Sequence, residues 1–230
     1  MDAFWSLVDP HVFTFFHKHA FLHCRYSLSV NGNFLDLLGN GVTDCGGYYS
    51  RLLQEYDSVI ISSSFFTENL KVPASQEPGA NQPIWIVTHK DPSSLNQISP
   101  SINDITGKMI IFTENKAGAA PEVALQGIET VALDQINLDV IMDYCNRQGL
   151  CSVLLDIRGS FSEFEELVKE GIKKNYINKF ITEILPVWNK RDEPDPLQTL
   201  KSLEQGVKVQ NLKSKVSDQS VVIEGYFKSE

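Results

Sequence analysis

Residues 138–171 read LDVIMDYCNRQGLCSVLLDIRGSFSEFEELVKEG, and this stretch decides the fold. Leu138, Ile141, Met142 and Cys145 recur at the three-to-four spacing of one helix face, and Gly149 stands where a C′ glycine ends a helix. Ser152 to Leu155 (SVLL) is then a short apolar run of the kind seen in strands covered on both faces. Phe161 to Gly171 resumes the helical period, with Phe161, Phe164, Leu167 and Val168 inward and Glu165 and Glu166 on the polar side. Helix, doubly covered strand, helix is the working unit of an α/β protein.

The same alternation continues in both directions. Phe21 to Val30 (FLHCRYSLSV) is extended and runs into a loop rich in Gly and Asn. Tyr48 to Tyr56 is a short helix with Thr43 and Asp44 as cap candidates. Further strands are expected at Asp57–Ser62, Pro83–Thr88, Lys108–Thr113, Ile128–Leu133 and Ile177–Leu185. The last two, Val207–Leu212 and Val221–Phe227, are joined by KSKVSDQS. Apolar strands separated by helices or long connections imply a mostly parallel sheet flanked by helices, and the terminal pair implies an antiparallel C-terminal edge.

The chain has 230 residues, 42% of them hydrophobic, and a formal net charge of -9. A chain this long buries roughly 70–75% of its unfolded surface, enough for a core without disulfides or structural metal. The acidic balance speaks against a nucleic-acid binder, and no uncharged apolar run reaches the ~20 residues of a membrane-spanning helix. Cys24, Cys45, Cys145 and Cys151 form no C-x-x-C pair and read as reduced structural thiols, with Cys145 and Cys151 at a buried helix-to-strand turn. His17, His19, His23 and Cys24 lie near one another, but the alternation of 19, 21 and 23 places the histidines on one strand face, so no metal is expected. Residues 1–19 are aromatic-rich, fit neither a secretory nor a plastid leader, and read as an unmatched, poorly ordered segment before one domain at 20–230.

In such sheets ligands sit where strands end and loops begin. Four strand ends carry polar residues: Ser29, Asn31 and Gly32; Ser63 and Ser64; His89 and Lys90; and Asp156, Arg158, Gly159 and Ser160. The last set leads into a helix N-terminus, where backbone N–H groups and Arg158 suit a phosphate; an ordinary turn and cap is the alternative. His89 and Lys90 are open to the same two readings. The loop from Gly39 to Gly47 lacks the spacing of a dinucleotide fingerprint, and no P-loop, G-x-S-x-G or H-E-x-x-H motif occurs. Trp85, Phe112, Phe161, Phe164 and Phe180 read as core.

Several segments, in order, resemble the reductase domain of riboflavin-biosynthesis deaminase–reductases. CRYSLSVNG is similar to its opening strand, NQPIWIVTHK to its central strand, SVLLDIRGSF to its strand-to-helix phosphate loop, and FITEILPVW to its penultimate strand. VTDCGGYYSRLLQEYDSVIISSS and MDYCNRQGLCSVLLD look most like the plant plastid pyrimidine-reductase branch. The resemblance implies a dihydrofolate-reductase-like fold, plastid location, and NADPH-dependent reduction of 5-amino-6-(5-phosphoribosylamino)uracil to its ribityl form. It also implies a homodimer and neighbouring domains in full-length relatives; composition has already spoken against membrane and nucleic-acid partners. By position it makes Ser29 and Asn31 catalytic; Gly32, Ser63, Ser64, His89, Lys90, Arg158, Gly159 and Ser160 cofactor-binding; and Asp156 and Lys71 substrate-binding. This sequence departs from the family at Asn31, usually Asp, at Ile157-Arg158, usually Gly-Gly, and at Phe65 to Asn69. Those departures raise the alternative of a non-catalytic reductase-fold module used in assembly or regulation.

Overall fold

The computed structural model describes residues 20–69, 72–89, 108–114, 128–158, 161–189, 208–217 and 219–228. Among the described residues ten strands form one sheet: β1 (Phe21–Ser29), β2 (Phe34–Leu35), β3 (Ser58–Ser62), β4 (Ile84–His89), β5 (Met109–Glu114), β6 (Ile128–Leu133), β7 (Ser152–Asp156), β8 (Ile177–Leu185), β9 (Val209–Ser217) and β10 (Ser220–Phe227). Their order is β6-β5-β4-β3-β7-β1-β8-β10-β9, with β2 paired to β1. Every neighbouring pair from β6 to β8 is parallel; β10 is antiparallel to both β8 and β9. The expected mostly parallel sheet with an antiparallel C-terminal edge is thus what the chain forms.

Among the described residues four α-helices accompany it: α1 (Tyr48–Leu52), α2 (Ser63–Asn69), α3 (Leu138–Arg147) and α4 (Phe161–Lys173). Alternation along each central strand feeds two cores. On one face Leu22, Ile60, Ile86, Ile110 and Val153 meet Ile141, Met142, Phe164 and Leu167 of α3 and α4. On the other, Val59, Ile61, Trp85, Val87 and Leu154 meet Tyr48, Tyr49 and Leu52 of α1 and Phe65 and Phe66 of α2. Because both faces are covered, β3 is buried at every position, as its unbroken apolar run requires. Asn137 caps α3 by accepting a bond from the Val140 N–H (3.0 Å), and Gly149 has φ +74° just beyond the helix.

The structure corrects five local readings. Thr43 and Asp44 do not cap α1: its N-cap is Gly47, without a side-chain bond, and the helix tightens into a 3-10 turn over Leu53–Glu55. A Cβ on Gly47 would lie 2.3 Å from the Val42 carbonyl oxygen, so close packing against the preceding loop chose glycine here over a side-chain cap. Ser63 and Ser64 open α2 rather than a loop. The two-residue strand β2 sits inside the Asn- and Gly-rich loop, and β9 runs through KSKVS to Ser217. Cys24 and Cys145 are buried, but Cys45 and Cys151 are exposed. Among the described residues no helix is long and apolar enough to cross a membrane.

Candidate functional site

Parallel strands bring Ser29, Ser62, His89, Asp156 and Leu185 to the same rim of the sheet. Two cavities lie there. The larger, about 570 Å³, is walled by Asp36, Leu37, Leu38, Thr43 and Asp44 on one side, by Val72 to Ala74 and Gln76 on another, and by Phe65 and Arg158. The smaller, about 210 Å³, is lined by Ser63, Thr88, His89, Ile136, Glu163, Glu166 and Leu167.

Beneath the larger cleft runs a buried chain of alternating charge. Glu183 accepts from Arg25 Nη2 at 2.6 Å and from the Tyr48 hydroxyl at 2.9 Å, and its other oxygen takes the Gly39 N–H at 3.2 Å. Arg25 Nη1 stands 3.4 Å from Asp156 Oδ1. The second oxygen of Asp156 accepts from the Tyr49 hydroxyl at 2.5 Å and from Arg158 Nε and Nη2 at 2.9 and 2.5 Å. The Arg158 guanidinium also covers the Phe65 ring at 4.2 Å. Arg25, Asp156 and Glu183 are fully buried. Four charges of two signs are tolerable there because each has an opposite neighbour and the carboxylates accept further bonds from Tyr48, Tyr49 and the Gly39 N–H.

Burial works against the charge of Asp156, yet Arg158 and Arg25 hold its carboxyl below the usual range. Burial pushes the Tyr49 hydroxyl well above its ordinary value, so it stays a proton donor to Asp156. Burial likewise opposes the charge of Arg25, and Tyr48, Asp156 and Glu183 more than offset it.

Two further clasps involve residues that the sequence singled out. The Glu163 carboxylate accepts from the Ser63 N–H (2.9 Å), the Ser63 hydroxyl (2.8 Å) and the Ser64 N–H (3.3 Å), so the start of α2 already faces an anion. Asn31 donates to the Asn189 carbonyl at 2.8 Å and accepts from the Asn189 N–H at 3.1 Å and the Ser29 hydroxyl at 2.7 Å. This ties the turn after β1 to the segment after β8.

Asp156 and Arg158 therefore meet one another below the larger cleft, which Arg158 lines; Ser63 and His89 share the smaller one; Ser29, Asn31 and Gly32 stand apart at the β1–β2 turn. Lys71, Lys90, Gly159 and Ser160 lie outside the described residues. A cofactor pyrophosphate would meet the Glu163 carboxylate at α2 and an Arg158 whose Nε and Nη2 are already donated to Asp156. At these two places the donors that a pyrophosphate would use are already taken. Sequence reasoning missed Arg25, Tyr48, Tyr49, Glu163 and Glu183. A signal existed for two of them: Arg25 interrupts the apolar FLHCRYSLSV and Glu183 the apolar INKFITEIL. Opposite charges inside neighbouring core strands mark a buried pair.

The chain is 41% identical over 210 residues to riboflavin biosynthesis protein PYRD, chloroplastic, of Arabidopsis thaliana, covering 90% of this chain and 49% of that protein. It is 33% identical over 207 residues to the protein of the same name from Zea mays, covering 90% and 51%. The chain spans about half the length of the curated relatives it matches. No family model matches. In fold it is similar to a Thermotoga maritima deaminase/5-amino-6-(5-phosphoribosylamino)uracil reductase (TM-score 0.63, 13% identity, 92% of this chain, 57% of that one). It is also similar to the Saccharomyces cerevisiae riboflavin biosynthesis reductase Rib7 (0.58, 14%, 91% and 90%). A pyrimidine reductase-like protein of Corynebacterium diphtheriae superposes with a TM-score of 0.63 at 13% identity, covering 92% and 93%.

Proposed function

We propose, for a chain with the sequence and fold of a riboflavin-biosynthesis reductase domain, that it reduces 5-amino-6-(5-phosphoribosylamino)uracil to the ribityl form with NADPH, in the plastid. The observation that carries this reading is the 570 Å³ cleft at the C-terminal rim of a parallel sheet, floored by Arg158 over Phe65. NADPH would supply the hydride, so the protein's own task is binding, orientation and exclusion of water. Arg158 and Phe65 offer a flat, partly charged surface for a planar ring. Asp36, Thr43, Asp44 and Gln76 offer polar groups around it. Lys71, outside the described residues, follows from the family resemblance as the substrate-side cation.

A second reading is a reductase-fold module without turnover. Glu163 on the α2 N–H groups and Asp156 on Arg158 favour it, since both occupy donors that a dinucleotide's phosphates would need. One experiment separates the two. Purified protein is titrated with NADPH by calorimetry and assayed for NADPH oxidation with the phosphoribosylaminouracil. Turnover ends the second reading; absence of binding at millimolar NADPH ends the first.

A further inference from the structure

We propose that Glu183 is the positioning residue that joins the two walls of the larger cleft and sets how far the Arg158 charge is available to a ligand. Glu183 touches neither cavity. One of its oxygens holds the Gly39 N–H at 3.2 Å, and Gly39 follows Leu38 and Leu37 in the first wall. A Cβ at Gly39 would fall 2.6 Å from that oxygen, so the loop approaches the carboxylate as only glycine allows. The other oxygen holds Arg25 Nη2 at 2.6 Å. Through Arg25 and Asp156 the chain of contacts ends on Arg158 and Phe65, the opposite wall.

The weak link gives the arrangement its sense of direction. Arg25 lies 2.6 Å from Glu183 but 3.4 Å from Asp156. Arg25 thus bridges two carboxylates, held closely by Glu183 at Nη2 and more loosely by Asp156 at Nη1. Removing the Glu183 charge frees Arg25 to turn fully onto Asp156. Asp156 then divides its charge more evenly between the two arginines, and more of the Arg158 charge is left to the cleft. The alternation also makes neutrality a property of the whole chain: two cations, two anions, one of the four reaching the cleft. This rests on the reading above only in taking the larger cleft as the ligand site.

The test uses Glu183→Gln, whose amide oxygen can still accept from Gly39 while its charge is gone. Backbone and arginine side-chain amide resonances are recorded on the full chain, with Arg25 and Arg158 Nε–H signals assigned through lysine variants. The expected result is a shift at Gly39, Arg25 and Arg158 together, with Arg158 Nε–H exchange about tenfold faster. A change confined to Gly39 and Arg25 overturns the proposal. Titration with inorganic pyrophosphate should show binding about three- to tenfold tighter in Glu183→Gln than in wild type, and equal affinity also overturns it. Should Glu183→Gln not fold, Tyr48→Phe removes the hydroxyl that donates to Glu183 and accepts from Arg25, and the same joint shift at Gly39, Arg25 and Arg158 is expected, with a shift confined to Gly39 and Arg25 overturning the proposal. Failure of NADPH turnover in the wild type leaves these readouts untouched, so the two ideas fail separately.

Discussion

Asp156 and Arg158 stand two residues apart at the end of β7 and fold back on one another, Nε and Nη2 of the arginine lying 2.9 and 2.5 Å from one carboxylate oxygen. Neither side chain is more than 3% exposed. Replacing Arg158 by leucine leaves Asp156 charged and buried, with the Tyr49 hydroxyl and a long contact with Arg25 as its remaining partners. The expected loss is about 3–5 kcal/mol, the usual cost of removing one partner of a buried pair, measured by urea unfolding with two optical probes.

The same carboxylate gives stability a dependence on acid. Its pKa is lowered in the fold, so the folded state releases that proton more readily than the unfolded chain. The resulting stabilisation is complete above the unfolded carboxylate value of about 3.9 and is lost as pH falls through the lower folded value. Asp156→Asn should be less stable at neutral pH yet show a flatter acid limb. An acid limb as steep as the wild type's would show that other carboxylates set it.

His23 acts at higher pH. Burial, then Lys179, push its pKa from 6.5 down to about 4 against a smaller opposing pull from Glu224, and its Nδ1 lies 2.7 Å from the Tyr56 hydroxyl. A neutral buried imidazole stabilises the fold fully above about pH 6.5, and that contribution falls away between there and about pH 4. Over this window wild type should lose up to about 3 kcal/mol that His23→Gln does not lose. Stability curves against pH for the two proteins, and the imidazole chemical shift, measure it.

Asn31→Asp restores the residue usual in the resembled family. Here it should weaken the protein by about 0.5–1 kcal/mol, because the exposed amide donor to the Asn189 carbonyl is lost and a carboxylate faces that oxygen. It should not raise NADPH oxidation. A rise in turnover would assign position 31 a chemical role instead of a tethering one.

Gly47→Ala places a methyl 2.3 Å from the Val42 carbonyl, which accepts from both Tyr49 and Ser50 N–H groups at 3.0 Å. Backbone must move, and α1 carries Tyr48 and Tyr49 with it. A loss of about 2 kcal/mol or more is expected by thermal unfolding, together with weaker ligand binding in the larger cleft.

What the residues revealed in advance follows their physics. The apolar runs of β3, β4, β5 and β7 were legible because doubly covered strands exclude polar side chains, and the faces of α3 and α4 because their period is unmistakable. The β2 strand was hidden: two residues among glycines and asparagines carry no period, and only pairing with Ser27 and Leu28 makes them a strand. Helix α2 was hidden because Ser63 and Ser64 resemble turn residues until Glu163, a hundred positions away, supplies the cap. The candidate site was half legible. Its position at strand ends follows from topology, but which charges face the ligand and which face each other depends on partners distant in sequence, such as Arg25 and Glu183.

The outermost strand has a consequence for how the protein meets its own copies. β9 leaves one edge of the sheet without a described neighbour and exposes Val209, Leu212 and Val216, an invitation to further strands. Lys208, Lys213 and Lys215 stand on the same exposed stretch, Asn211 adopts φ +54°, and the β9–β10 register breaks between Glu224 and Tyr226. Docked edge to edge, two copies would crowd ammonium groups along a bent seam, so such pairing is disfavoured there.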